Sequence, residues 1–534
     1  MHKLAILADP HYHSIFPGYP FEGVTFDGRA GAAIRTRADS AASTRIFNES
    51  YFALPVVLDI CVAQGIDMVV IAGDLTDDGQ IATMDAALDM LARYEAKHGM
   101  RFFLTPGNHD VYGMSGRHHA KVFYDRTGTT TVTSDPTLSG TVVDPAMFCR
   151  SYPDLAQLWA PYGIARRTSD LHWESPFGPD DSVDARYFEM VSPDGSVRHR
   201  QLDLSYLVEP VADLWLLSID ANVFEPRDNR PDNTGPDAFA DSTDAGWNAL
   251  VRLKPFILEW MSDVAARAER LGKTLICFSH YPVLDTYDGT VEREKQLFGH
   301  TQAVRRTPSI ETSRSVARTG IGTHFSGHLH VSDTNTIWAD GKSLTNIALP
   351  SPVAFPPAFA LIEADQQTIS VRHELIEFDR FDAFFSFYRS DMPEDGWTEA
   401  RSYGDFLYRH VHQLVRHRFL PKEWPADLAQ AVQSLSIGDL VTHAEIALPA
   451  RFESLADLTA IDLLTDWYAA RMASGLAAHF ISPLRLDLYE TLISAYRNRD
   501  WSDPASLQSR LKVLFEMMAL YLGERPAPSA SEHR

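Results

Sequence analysis

Several features that would place a chain outside the ordinary globular classes are scarce here. Cysteine occurs three times in 534 residues, at Cys61, Cys149 and Cys277, an odd, sparse set that excludes a disulfide framework and fits a reducing compartment. Cys277 lies in the apolar run Thr274–Phe278, so it is expected as a small buried hydrophobe. Long apolar runs are also lacking: Pro55–Val70 is interrupted by Asp59 and Asp67, short of the roughly 18 residues of a membrane span. The opening segment meets Asp9 too early for an export signal and reads as a strand. Positive charge is in deficit, with 48 Lys plus Arg against 71 Asp plus Glu and a formal charge of −23. Such a surface repels polyanions and argues against a nucleic-acid polymer as partner. A soluble, cytoplasmic protein with no membrane partner is the expectation. What is present, 45% hydrophobic residues over a length of two or three domains, supports a large core and argues against a disordered main state.

From Lys3 to about Phe378 short apolar or β-branched runs alternate with helix-period segments, the pattern of a layered α/β domain over residues 1–378. Strands are predicted at Lys3–Ala8, Met68–Ala72, Arg101–Thr105, Leu214–Ile219, Thr274–Ser279 and Thr323–Ser326, then at Thr345–Leu349, Ala358–Glu363 and Thr368–Ile376. Helices are predicted at Pro55–Gln64, Thr83–His98 and Phe256–Leu271, each stopped by a glycine suited to the left-handed position after a helix. From about Asp382 onward only helical spacing remains, in Tyr403–Phe419, Leu455–Met472, Arg485–Arg497 and Leu507–Leu522. An all-α C-terminal domain over 379–524, followed by a disordered Pro/Ala/Ser tail over 525–534, is the expectation. The C-terminal domain could cap a crevice, cover a sheet edge or carry homo-oligomer contacts. Two long inserts, about 13–43 and 112–206, are rich in Gly, Pro, Asp and Thr and read as lids or surface excursions.

His, Asp and Asn concentrate just past the carboxyl ends of five predicted strands. These segments are Asp9-Pro10-His11, Gly73-Asp74-Leu75-Thr76-Asp77, Gly107-Asn108-His109-Asp110, His280-Tyr281-Pro282 and Gly327-His328-Leu329-His330. In an open α/β sheet the groups beyond the carboxyl ends of strands line one crevice, so residues 300 positions apart converge. Imidazole, carboxylate and amide donors without thiolate suit Mn, Fe or Zn. So many donors exceed one tetrahedral ion, and two ions sharing a carboxylate is the economical arrangement, with paired-metal chemistry at phosphorus. His13, His118, His119, His300 and His324 read as loop or surface residues, and Arg29, Arg35, Arg37 and Arg45 as a solvated loop that could alternatively reach a phosphate.

In this order and spacing the five segments resemble the calcineurin-like metallophosphoesterases, whose pattern is D-x-H, G-D-x-x-D, G-N-H-[DE], a lone His and G-H-x-H. The resemblance covers about Met1 to Phe378 and implies a layered metallophosphoesterase-type β-sandwich flanked by helices. It implies two divalent or trivalent metal ions, one held by Asp9, His11 and His330, the other by Asn108, His280 and His328, with Asp74 bridging. His109 corresponds to the family's catalytic histidine that does not bind metal, and Asp77 to the aspartate that orients it, with Asp110 as the alternative.

The activity implied is hydrolysis of a small phosphoester. Gly73-Asp74-Leu75-Thr76-Asp77-Asp78-Gly79 resembles bacterial cyclic-nucleotide phosphodiesterases more than protein phosphatases, which carry an Arg after the second Asp and a G-N-H-E ending. A phosphodiesterase of cyclic nucleotides or similar diesters is therefore the expectation. The alternatives are a phosphomonoesterase or protein phosphatase, a nuclease, or a scaffold without catalysis.

Overall fold

The computed structural model describes residues 1–230, 235–240, 246–391 and 396–523. The tail predicted at 525–534 lies outside them. Two large sheets form a sandwich, and their strands are numbered here in chain order. These are β1 (His2–Leu7), β2 (Met68–Ala72), β3 (Arg101–Thr105), β4 (His172–Glu174), β5 (Tyr206–Val211), β6 (Leu214–Ile219), β7 (Thr274–Ser279), β8 (Thr323–Ser326), β9 (Asp333–Ala339), β10 (Lys342–Ala348), β11 (Ala358–Ala364) and β12 (Ile369–Leu375). The first sheet has the order β12-β11-β1-β2-β3 and the second β9-β10-β8-β7-β6-β5-β4. The strands that lead to the motifs run parallel, β1 with β2, β2 with β3, and β7 with β8. Parallel strands covered on both faces read as unbroken apolar runs, as Met68–Ala72 does.

Alternation along β6 and β7 shows how the layers stack. Leu214, Leu216, Ile276 and Phe278 face the core shared with the first sheet. Trp215, Leu217, Ile219 and Cys277 face outward onto Ile257, Trp260, Met261 and Val264 of the helix Pro255–Leu271. Helices Ser50–Ala63 and Ile81–His98 cover the first sheet, the latter ended by Gly99 at φ 70°.

Three strands of the second sheet were absent from the sequence reading. Strand β9 is an edge strand that opens on four polar residues, Asp333-Thr334-Asn335-Thr336, and leaves Trp338 55% exposed. Strand β5 sits at the end of the second insert and contains Pro210, where its pairing with β6 shifts between Val208 and Val211, as a residue without an N–H requires. Strand β4, three residues long, lies within the insert. The inserts are also structured. Val24–Phe26 pairs with Arg29–Ala32, Ala120–Asp125 with Gly128–Thr133, and Tyr187–Val191 with Arg198–Leu202.

After β12 the described residues contain helices and no strand. These helices share one apolar core with the first sheet: Phe406, Leu407, Val411, Trp467, Tyr489 and Phe515 belong to the same cluster as Leu4, Ile6, Val70 and Phe103. No helix among the described residues is long and apolar enough to cross a membrane.

Candidate dinuclear metal centre

The centre begins where β1 and β2 end side by side. Past the last strand residues the pairing continues, with His11 N–H donating to Asp74 O at 2.9 Å and Tyr12 N–H to Leu75 O at 2.9 Å. This brings Asp9, His11 and Asp74 together. The backbone there leaves the extended region: φ is 54° at Asp9, 41° at His11, 51° at Asp74, 71° at His328 and 55° at His330. Side chains other than glycine avoid this region at a cost of about 1–3 kcal/mol each, and such strain collects at functional sites.

The ring nitrogens and carboxylate oxygens form two groups. In the first, His11 Nε2 lies 3.1 Å from His330 Nε2, and His330 Nε2 lies 3.4 Å from Asp9 Oδ1. In the second, His280 Nε2 lies 3.0 Å from Asn108 Oδ1 and 3.1 Å from His328 Nδ1. Asp74 Oδ2 stands between them, 3.6 Å from His11 Nε2 and 3.3 Å from His280 Nε2. The seven residues predicted as ligands are thus brought together, and all are buried.

Second contacts orient the donors. His280 Nδ1–H donates to Ala72 O at 3.1 Å and His330 Nδ1–H to Thr44 O at 3.4 Å, which leaves each Nε2 turned inward. His328 N–H holds Asp9 Oδ2 at 2.8 Å and His109 N–H holds Asp74 Oδ1 at 2.7 Å. Burial holds the His11 and His328 imidazoles well below the usual histidine range. At His280 burial acts the same way, but the Asp74 charge outweighs it and raises the imidazole to about 9.

Two observations show that the residues fit metal ions. Asp9 Oδ1, an oxygen that can only accept, is buried with no hydrogen-bond partner, which is costly unless a cation faces it. The motif glycines are also required by the donors. A Cβ at Gly107 would stand 2.1 Å from Asp74 Oδ1, one at Gly327 2.3 Å from Asp9 Oδ2, and one at Gly73 2.3 Å from His280 Nδ1.

Beside the donors, His109 is 24% exposed in its side chain, and its Nδ1 lies 2.5 Å from Asp78 Oδ1. The carboxylate that meets His109 is therefore Asp78, and Asp77, predicted there, points elsewhere. Asp77 is enclosed by three cations, with Arg45 at 2.7 Å, Arg35 at 3.2 Å and Lys121 at 2.5 Å. Asp110 accepts instead from the backbone amides of Gly107 at 3.0 Å and Thr76 at 3.1 Å, tying two motif loops together. Burial disfavours the charge on Asp78, but Lys121 and the hydrogen bonds from His109 and His119 hold it well below the ordinary carboxylate range.

Other residues around the centre escaped the sequence reading. Tyr112 O–H donates to Asp78, and His119 Nε2 lies 3.3 Å from it, so the second insert helps build the site. Arg35, Arg37 and Arg45 are buried rather than solvated, and Arg45 Nη2 reaches within 3.2 Å of His109 Nδ1. His13 and His324 are core residues bonded to Ala33 O and to Ser279 and Asn346. Asn222, past the end of β6, donates to Gly107 O at 3.1 Å and accepts from Tyr281 O–H at 3.0 Å, fixing the loops of Asn108 and His280. Its signal was Asp220-Ala221-Asn222 after a predicted strand, the same rule that found the other five segments.

Residues 2–157 match the family model of the calcineurin-like phosphoesterases. This segment carries Asp9, His11, Asp74, Asp77, Asn108 and His109, while His280, His328 and His330 lie beyond it. The two sheets with their flanking helices have the metallophosphoesterase-type architecture. No curated protein matches the chain. Among solved structures, a dimetal phosphatase from Danio rerio is 15% identical, with 70% of this chain and 96% of that one covered and a TM-score of 0.37. A purple acid phosphatase from yellow lupin is 9% identical, with 70% and 51% covered and a TM-score of 0.32. A putative 5′-nucleotidase from Staphylococcus aureus is 9% identical, with 70% and 53% covered and a TM-score of 0.31. This chain thus spans about half the length of the latter two.

Proposed function

We propose that the chain is a metal-dependent phosphoester hydrolase that cleaves small phosphodiesters, cyclic nucleotides or similar nucleotide diesters among them. The observation that carries this reading is the pair of buried donor groups sharing Asp74, with His109 beside them. Asp9, His11 and His330 would hold one ion and Asn108, His280 and His328 the other, with Asp74 common to both. Two such ions supply electrophilic activation of water and of the phosphoryl group. Only two carboxylates, Asp9 and Asp74, offset them, so the pocket attracts an anion on a chain of net charge −23.

His109, its Nδ1 held by Asp78, protonates the departing ester oxygen through Nε2. Arg45, anchored on Asp77, adds positive charge beside that histidine. The diester preference rests on the loop Gly73–Gly79 and on charge: a monoester carries nearly twice the negative charge of a diester near neutral pH.

The test is a panel of bis(p-nitrophenyl) phosphate, p-nitrophenyl phosphate and 3′,5′- and 2′,3′-cyclic nucleotides on protein loaded with Mn, Fe or Zn. Diesters are expected to lead in kcat/KM. Monoester preference by more than about tenfold, equivalent to about 1.4 kcal/mol, overturns the diesterase reading. Asp74→Asn is expected to lose both bound metal, by elemental analysis, and activity; normal metal content with full activity refutes the centre itself.

A further inference from the structure

Strand β6 supplies none of the seven candidate ligands, yet it runs parallel to β7 and ends beside the centre. At its last residue the two sheets meet, Thr105 Oγ1 donating to Ile219 O at 3.2 Å. The chain continues as Asp220-Ala221-Asn222, all three buried. Asp220 accepts from Tyr152 O–H at 2.5 Å and Leu204 N–H at 2.9 Å, and its other oxygen accepts from Asn222 N–H at 3.1 Å. A fixed main chain therefore presents the Asn222 amide to two loops distant in sequence. Its Nδ2–H donates to Gly107 O at 3.1 Å, 115 positions away, and its Oδ1 accepts from Tyr281 O–H at 3.0 Å, 59 positions away.

Each partner is the sequence neighbour of a ligand in the second donor group, Gly107 of Asn108 and Tyr281 of His280. The third member of that group, His328, packs against the Tyr281 ring, with centroids 4.5 Å apart. One amide and one phenol thus touch the supports of all three donors. The first group is held from other elements. Thr44 O accepts from His330 Nδ1–H, Ser351 Oγ donates to Asp9 O at 2.7 Å, and His11 N–H donates to Asp74 O. The shared Asp74 is gripped by His109 N–H, on a loop that Asp110 ties independently to Thr76.

We propose that Asn222, acting with Tyr281, is a positioning residue for the second ion alone, fixing the Asn108 and His280 loops against each other so that its loss leaves a centre that holds one ion. This rests on the dinuclear reading above. An asparagine past a strand end commonly serves its own turn. Here both side-chain bonds instead reach loops that carry ligands, one following β3 of the first sheet and the other β7 of the second. Groups that orient metal ligands from behind change metal affinity about 10- to 100-fold when removed.

The test counts ions on the full chain. Protein stripped by a chelator is dialysed against graded Mn(II), bound metal is measured by elemental analysis, and electron paramagnetic resonance separates paired from isolated ions. Wild type is expected to hold two ions with the signal of an exchange-coupled pair. Asn222→Ala is expected to bind the second ion about tenfold or more weakly, with the first within about twofold of wild type. At intermediate Mn(II) it then carries one ion and gives the signal of an isolated one. Tyr281→Phe keeps the ring and removes only the O–H, so a weakening of the same ion by about threefold or more is expected, and this variant decides the matter if Asn222→Ala does not fold. Two ions bound at wild-type affinity in the folded variants, or equal weakening of both ions, overturns the positioning role while leaving the dinuclear centre standing. A wild type that never binds more than one ion refutes the dinuclear reading itself, together with any role at a second ion.

Discussion

His109 and Asp78 meet at 2.5 Å, whereas the carboxylate one residue earlier, Asp77, is fully occupied by Arg35, Arg45 and Lys121. The two neighbours should therefore fail differently. Asp78→Asn removes the carboxylate that holds His109 Nδ1, so kcat is expected to fall about 10- to 100-fold with metal content retained. Asp77→Asn leaves three buried cations short of their shared anion and is expected to destabilise the fold by about 3 kcal/mol, seen as a lowered melting temperature. A stable, inactive Asp77→Asn beside a fully active Asp78→Asn would reverse the assignment. This pair also marks where sequence reading stops at the residue scale. The seven candidate ligands could be picked out because each stands one to four residues past a strand and their segments match the motifs of the resemblance. Asp77 and Asp78 occupy one turn and differ by a backbone angle, φ being 80° at Asp78. Asp77 likewise meets Lys121, which arrives from an insert more than 40 positions away.

Strand ends and the glycines that follow them work as one device. Parallel strands deliver the ligands to one edge, and Gly107, Gly327 and Gly73 leave the room that Asp74, Asp9 and His280 occupy. Gly107→Ala would place a methyl 2.1 Å from Asp74 Oδ1 and 2.3 Å from the Asp74 backbone N, which cannot swing aside as a side chain can. Bound metal is expected to drop below half of wild type and activity at least 100-fold. Gly322→Ala, with nothing within 4 Å of the added carbon, is the matched control and should retain both. Elemental analysis beside a diester assay reads the difference; metal content retained in Gly107→Ala would contradict the steric account. The same strands explain which elements could be read from sequence. Met68–Ala72, Leu214–Ile219 and Thr274–Ser279 have the predicted bounds because a strand with neighbours on both edges and layers on both faces is apolar along most of its length; the edge strand Arg101–Thr105 and the short Thr323–Ser326 have the predicted bounds as well. Asp333–Ala339 was invisible because this edge strand opens on four consecutive polar residues, and Tyr206–Val211 because Pro210 interrupts it.

At the scale of the whole molecule the C-terminal helices are joined to the sheets by more than contact. Arg471 pairs with buried Glu294 at 2.6 Å, and Tyr521 O–H donates to the same carboxylate at 3.0 Å. A chain ending at 378 would expose the core face that Phe406, Leu407 and Val411 cover, so it is expected to aggregate or melt without cooperativity. A truncated chain melting within about 5 °C of the full one would show that the shared core is dispensable. A second junction makes stability depend on pH. Tyr388, on the helix Phe385–Asp391, donates to Glu49 Oε1 at 2.9 Å, while Glu49 Oε2 is buried without a partner. Burial raises the Glu49 carboxyl from 4.5 to about 8, against smaller opposing effects of hydrogen bonds. A carboxyl raised in the folded state binds its proton more tightly there than in the unfolded chain. Its contribution is therefore fully present below about pH 4.5 and is lost as pH rises through about 8. Glu49→Gln keeps a neutral group of similar shape at every pH, so the variant should gain on wild type as pH rises. The melting temperatures of the two proteins, compared at pH 5 and pH 9, are expected to shift in favour of the variant by the equivalent of about 2–4 kcal/mol. A difference between them that does not change with pH would show that Glu49 is ionised in the folded protein and that the junction with Tyr388 is an ordinary charged hydrogen bond.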